Sequence, residues 1–147
     1  MDKAALSPIL VVGSSGTIGG AVAQALSQAG HPVGLHYCSN RNAAERLAAL
    51  LAESGGVSRP FPSGLGDRSA FIDLIDTFKA EFPGAGGVAL CAGRVPWTHW
   101  KQLDGDDWQK VFFEHCVAPV TLAVRALECL SQPCKVVFLS SISPKYG

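Results

Sequence analysis

Neither sign of charge is in excess in this chain: 12 Lys and Arg offset 12 Asp and Glu over 147 residues. A protein without a net field has little means of holding nucleic acid or an anionic membrane surface, and no like-charged run forms an arm or tail. Long apolar runs are also missing. None approaches the roughly 18 to 20 residues of a membrane span, and the opening MDKAALSPILVVGSSG has no apolar segment followed by a cleavage site. These absences predict a cytoplasmic protein with no nucleic-acid or membrane partner. Cysteine is present without a pattern: Cys38, Cys91, Cys116, Cys129 and Cys134 form no C-x-x-C and no Cys/His spacing of a zinc site. Free thiols packed as small core residues are therefore expected, with no metal centre. No internal repeat or low-complexity segment interrupts the chain.

The chain does have enough apolar material for a core, 48% of residues against 16% charged, at a length that fits one domain over residues 1–147. Strand and helix signals alternate along it. PILVV (8–12) runs into Gly13, and Ile18, Val22, Ala25, Leu26 and Ala29 then recur with helical period up to Gly30. HPVGLHY reads as a second strand. Asn40 is placed to cap a helix with Ala44, Leu47, Ala48 and Leu51 on one face, ending at Ser54-Gly55-Gly56. SRPFP is a weak third strand, its apolar residue flanked by prolines. Asp67 is placed to cap a helix with Phe71, Leu74, Ile75 and Phe78 facing inward. GVALCAG, wholly apolar, reads as a strand buried on both faces. A long helix over about 107–130 follows, kinked by Pro119, and KVVFLSS is a fifth strand. Five strands joined by four crossover helices predict a Rossmann-like, doubly wound parallel α/β sheet.

The chemistry-bearing motif is VVGSSGTIGGAVA, with glycines at 13, 16 and 19 between the first strand and the first helix. Glycine at a strand end permits a tight turn, in the middle it lets backbone approach a pyrophosphate, and at the third position it lets the helix pack on the sheet. The helix N-terminus then offers free N–H groups to phosphate charge. A P-loop is excluded because no Gly-Lys-Ser/Thr follows. A methyltransferase-type turn commonly wants an acid after the second strand, where this chain reads HYCSNR.

At this point the chain resembles the first half or more of a short-chain dehydrogenase/reductase. VVGSSGTIGGAVAQAL resembles that family's cofactor turn, HYCSNRNAAE its second strand and helix, and ALCAG its N-N-A-G strand. LDGDDWQKVF resembles the entry to its long helix, and KVVFLSSIS its serine-bearing strand. The resemblance implies strand order 3-2-1-4-5, with later strands lying beyond this chain. It also implies hydride transfer between a nicotinamide cofactor and a small alcohol or carbonyl substrate, where a proton must move with the hydride. Gly13, Ser15, Gly16, Thr17, Ile18, Gly19, Ala92 and Gly93 are the implied cofactor residues. Ser141 matches the family serine, and His115 falls at the position of a helix asparagine that supports proton relay. With Tyr37 closing the second strand in place of a ribose-binding carboxylate, Ser39, Asn40 and Arg41 could receive a 2'-phosphate, favouring NADP over NAD.

Several positions depart from the family. Thr17 stands at the common middle glycine, Gly64 where an aspartate often meets adenine, and Leu90-Cys91 where asparagines are paired. Tyr146 lies too close to Ser141 to serve as the family's general acid/base, so the Tyr-x-x-x-Lys pair is expected from a separate segment or an associated chain. Three functions stay open: an oxidoreductase so completed, a degenerate subunit that binds no cofactor and stabilises an active homologue in a homo- or hetero-oligomer, and a nucleotide-sensing regulator. His31, His99 and the tryptophans Trp97, Trp100 and Trp108 read as surface, loop or packing residues.

Overall fold

The computed structural model describes residues 6–66, 68–94 and 99–141. Five parallel strands, as the alternating pattern predicts, lie in the order β3-β2-β1-β4-β5 that the family resemblance implies: β1 (Ile9–Val12), β2 (Val33–Tyr37), β3 (Ser58–Pro62), β4 (Gly87–Leu90) and β5 (Lys135–Phe138). Between them run α1 (Thr17–Gln28), α2 (Arg41–Glu53) and α3 (Arg68–Glu81). The last crossover carries a 3-10 turn, Trp100–Gln102, then α4 (Gly105–Phe112), a π-helical turn (Phe113–Val117) and α5 (Ala118–Cys129).

Each face of the sheet has its own core. On one, Leu10, Val12, Val88 and Leu90 pack with Phe71, Ile75 and Phe78 of α3 and Leu122 and Ala126 of α5. On the other, Val11, Val33, Leu35 and Ala89 pack with Ala23 of α1 and Leu47 and Leu51 of α2. The period-2 alternation of β1 thus feeds both layers, which is why its central residues are all apolar. β3 tolerates Pro60 and Pro62 because it is the sheet edge, where a missing N–H breaks no second ladder.

Local sequence signals decide most boundaries. Asn40 Oδ1 accepts from the Ala43 N–H at 3.1 Å, so the expected cap of α2 is formed. Gly55, at φ +79, lets the chain turn out of that helix. The expected cap of α3, Asp67, lies outside the described residues, as do Trp97 and Tyr146.

The long helix differs from expectation at both its start and its middle. It begins at Gly105 rather than about Asp107, because Asp104 is the N-cap of a capping box. Its side chain accepts from the Asp107 N–H at 2.9 Å, while Asp107 Oδ2 accepts from the Asp104 N–H at 3.3 Å. The expected disturbance at Pro119 is a π turn just before it, closed by the Ala118 N–H donating to the Phe113 carbonyl. A wider turn gives the proline ring room against the carbonyl four residues back and absorbs the bond that its missing N–H cannot make. The cysteines also need correction: all five are free, but Cys38 and Cys116 are exposed, and only Cys91, Cys129 and Cys134 are partly enclosed.

Candidate functional site

The candidate site lies beyond the carboxyl ends of the strands, where β1 and β4 are neighbours and their following loops part to opposite sides. Gly13 leaves β1 at φ +84, a left-handed conformation open to glycine at little cost. Its Cα is pressed against β4's extension: a Cβ there would lie 2.7 Å from Ala92 Cα. Gly19, in the first turn of α1, sits so closely on the turn that a Cβ would come within 2.2 Å of the Gly13 carbonyl oxygen. These two positions account for the first and third glycines of the motif.

Gly16 behaves differently. It is exposed, and a Cβ on it would touch only the Gly13 oxygen, at 3.4 Å. As the N-cap of α1 it brings no side-chain oxygen to the first turn, so the N–H groups at the helix entry, beside the exposed Thr17 and Ile18, have no side-chain cap. An open approach over Gly16, a positive helix end and a partly exposed Ser15 hydroxyl fit a phosphate group. On the α5 side of the sheet, Val12, Leu65, Leu90, Ala92 and Leu122 line a void of only about 10 Å³.

After β2 the fit to an anion is looser. Ser39 is exposed just past β2. Arg41 is also exposed, but its Nε donates to Glu45 at 2.7 Å, which raises its pKa further, and Asn40 is occupied in capping α2. An exposed i,i+4 pair of this kind is weak enough to be exchanged for a phosphate. Among the described residues, a Cβ on Gly64, where the family aspartate would stand, would meet nothing within 4 Å. Leu90 is buried and Cys91 half-buried, with burial raising the thiol pKa, and neither offers an amide to a ligand.

The other candidate residues gather around β4 and the π turn. The imidazole of His115 lies over Gly93, where a Cβ would be 2.6 Å from Cε1 and 2.9 Å from Nδ1. Its Nε2 lies 3.2 Å from the Arg94 carbonyl oxygen, an acceptor, so Nε2 is the donor in that contact. His115 is exposed, although its ring lies against Gly93. Ser141 is exposed past β5. The register Leu90↔Phe138 places Gly93 and Ser141 each three residues beyond the last paired position, on the same edge of the sheet. A separate groove of about 580 Å³ lies between Gly66 and the exposed Trp108 and Phe112 of α4, and none of its lining residues belongs to the glycine turn.

One residue at the heart of the site carries no motif. His36 of β2 is 1% exposed, and its ring bridges two loops. The Gly13 N–H donates to Nδ1 at 3.0 Å, which requires Nε2 to carry the proton that it donates to the Ser63 carbonyl at 3.0 Å. Burial pushes its pKa down to about 4, the bond to Ser63 offsetting only part of that. The signal available in the sequence was an ionisable residue at an inward position of an otherwise apolar strand.

The parallel sheet order and the glycine turn define a Rossmann-type, doubly wound domain. The sequence model of the family described as enoyl-(acyl carrier protein) reductase matches residues 12–147, and the chain belongs to the short-chain dehydrogenase/reductase family. Among curated relatives, a versicolorin reductase of Emericella nidulans is 29% identical over 132 residues, covering 90% of this chain and 50% of the relative. A sorbose reductase of Schizosaccharomyces pombe is 33% identical over 104 residues, covering 69% of this chain and 41% of the relative. The chain thus spans about half the length of the curated relatives it matches. Among solved structures, a landomycin C-6 ketoreductase with bound NADP and rabelomycin superposes with a TM-score of 0.87 at 22% identity, covering 96% of this chain and 60% of that one. A Burkholderia cenocepacia short-chain dehydrogenase in complex with NADP gives a TM-score of 0.86 at 22% identity, covering 92% and 55%.

Proposed function

We propose that this chain is the nucleotide-binding part of a nicotinamide-dependent oxidoreductase acting on a small alcohol or carbonyl compound. The observation that carries this reading is the interlocked glycine turn: Gly19 closed on Gly13, Gly13 closed on Ala92, and Gly16 left open to an incoming phosphate. The names of the relatives, versicolorin reductase and sorbose reductase, support reduction of a small molecule, and the two NADP complexes support a nicotinamide cofactor.

In this reading Ser15, Gly16, Thr17, Ile18 and Gly19 hold the pyrophosphate through backbone N–H groups and the Ser15 hydroxyl. Ser39 and Arg41 receive a 2'-phosphate, with Arg41 exchanging Glu45 for it, so NADP is favoured over NAD. Ala92 and Gly93 supply a side-chain-poor wall along the cofactor. When bound, the nicotinamide supplies or takes up the hydride. Ser141 donates a hydrogen bond to the substrate oxygen, and His115 Nδ1 holds or passes a proton at the other side of Gly93. The family's Tyr-x-x-x-Lys pair comes from outside residues 1–147, on a following segment or an associated chain.

A second reading, a degenerate subunit that keeps the fold to support an active homologue, draws on Leu90, Cys91 and the open Gly64 position, where the usual polar contacts are replaced. A sensing regulator would bind cofactor and change partner affinity without turnover. Calorimetric titration with NADH and NADPH separates these: micromolar binding of either supports the first and third readings, and no heat at millimolar cofactor leaves only the degenerate subunit. Turnover of a carbonyl substrate by the full-length protein then distinguishes enzyme from sensor.

A further inference from the structure

We propose that His36 is a positioning residue for the dinucleotide, its neutral ring tying the Gly13 end of the phosphate turn to the loop after β3, so that one side chain sets the spacing of two walls of the site. This rests on the nicotinamide reading above. The geometry is specific to one tautomer. A donor, the Gly13 N–H, faces Nδ1, and an acceptor, the Ser63 carbonyl, faces Nε2, each at 3.0 Å. Only an imidazole protonated at Nε2 alone satisfies both, because the doubly protonated ring would point N–H at N–H.

What the ring holds is the hub of the turn. The peptide of Gly13 is fixed at its N–H by His36, while its carbonyl accepts from the Gly16 N–H at 3.1 Å and is the surface on which Gly19 packs. A displacement of that peptide therefore moves both the open glycine and the first turn of α1. A second grip adds to the first: the Ser14 N–H and Oγ both donate to the His36 carbonyl at 3.0 Å, and Ser14 is itself buried. On the other side, Ser63 is anchored by its N–H to the Tyr37 carbonyl at 3.0 Å and by its Oγ to the Ala70 carbonyl at 3.1 Å, so the bridge continues into α3. Burial removes water as an alternative partner, which makes an unmet donor at Gly13 costly.

Two substitutions divide the ring's functions. His36→Asn presents an oxygen near the place of Nδ1 and preserves the acceptor for Gly13, whereas His36→Gln extends an amide toward Ser63 and removes it. Full-length protein is titrated with NADPH and NADH, and the ligand-free protein is observed by nitrogen-edited NMR. The expected result is an unprotonated Nδ1 and protonated Nε2 in the wild type, with a Gly13 amide shift kept in His36→Asn and lost in His36→Gln. Cofactor Kd should rise by about tenfold in His36→Gln and stay within about threefold in His36→Asn, the size of one buried hydrogen bond. A purely structural residue would lower the thermal midpoint of both without separating their Kd values. Equal Kd values for the two variants, or a proton found on Nδ1, overturns the positioning role alone. Failure of the wild type to bind either cofactor overturns the nicotinamide reading and this role with it, while the NMR pattern still reports whether the bridge exists.

Discussion

Gly16 and Gly19 are three residues apart in one motif, yet the same methyl group meets different surroundings at each. At Gly19 it would lie 2.2 Å from a backbone oxygen that cannot yield, so Gly19→Ala should cost about 3 kcal/mol and lower the urea midpoint sharply. At Gly16 it meets one atom at 3.4 Å with φ at −91, so Gly16→Ala should fold with a loss of about 1 kcal/mol or less. If the phosphate passes over Gly16, that well-folded variant nevertheless binds NADPH less tightly, which calorimetry would register. His36 gives a pH dependence. Its pKa falls from 6.5 to about 4 on folding, so the unfolded chain binds the proton more readily. The stabilisation is fully present above about pH 6.5 and is lost as pH falls toward 4, by about 3 kcal/mol in all. Denaturant titrations between pH 7 and 4 should follow this slope, and His36→Phe should flatten it.

Helix α4 and the π turn form one device, because whatever holds the helix entry also holds His115 above Gly93. Asp104→Ala removes the cap acceptor of Asp107 and should cost about 1 kcal/mol, measured by thermal unfolding. Deeper in the same crossover, Leu122 is fully buried between α3 and the sheet, and Leu122→Ala should cost about 3 kcal/mol. The contrast of the two losses separates local capping from core burial. Helix α5 is also tied to α3 by Arg125, whose Nη2 donates to both Asp76 carboxylate oxygens at 2.8 Å. That pair is partly exposed, with the Arg125 side chain at 30% and Asp76 at 47%, and secures orientation more than stability.

Across the whole molecule, apolar surface is unevenly covered. β1, β2 and β4 are enclosed on both faces, whereas Val137, Phe138 and Leu139 at and after β5 are half or more exposed, and Val120, Val124 and Leu127 are exposed on α5. Exposed apolar surface of this kind favours self-association. A polypeptide of residues 1–147 expressed by itself should therefore self-associate at micromolar concentration in sedimentation velocity. Val137→Lys with Val124→Glu should shift it toward monomer, and a monodisperse monomer without these changes would contradict the expectation.

The alternation of strands and helices, the two-layer core and the three glycines were legible in the sequence because they rest on local rules, whereas the strand order followed from the family resemblance. Apolar periodicity selects strand or helix, and a glycine between them can be recognised wherever it occurs. Asn40 as a cap and Pro119 as a source of distortion follow from the same short-range chemistry. The capping box at Asp104 was just as local and lay in the string D-G-D-D, but competing aspartates obscured the boundary. What only the tertiary structure decided depends on residues far apart in sequence. That Gly13 is closed by Ala92 while Gly16 stays open, and that His115 lies over Gly93, are outcomes of packing. Above all, His36 reads in the sequence as one more strand residue. It becomes a link between Gly13 and Ser63 only because parallel pairing brings the ends of β1, β2 and β3 side by side, leaving a buried ring no partner except the backbone of its neighbours.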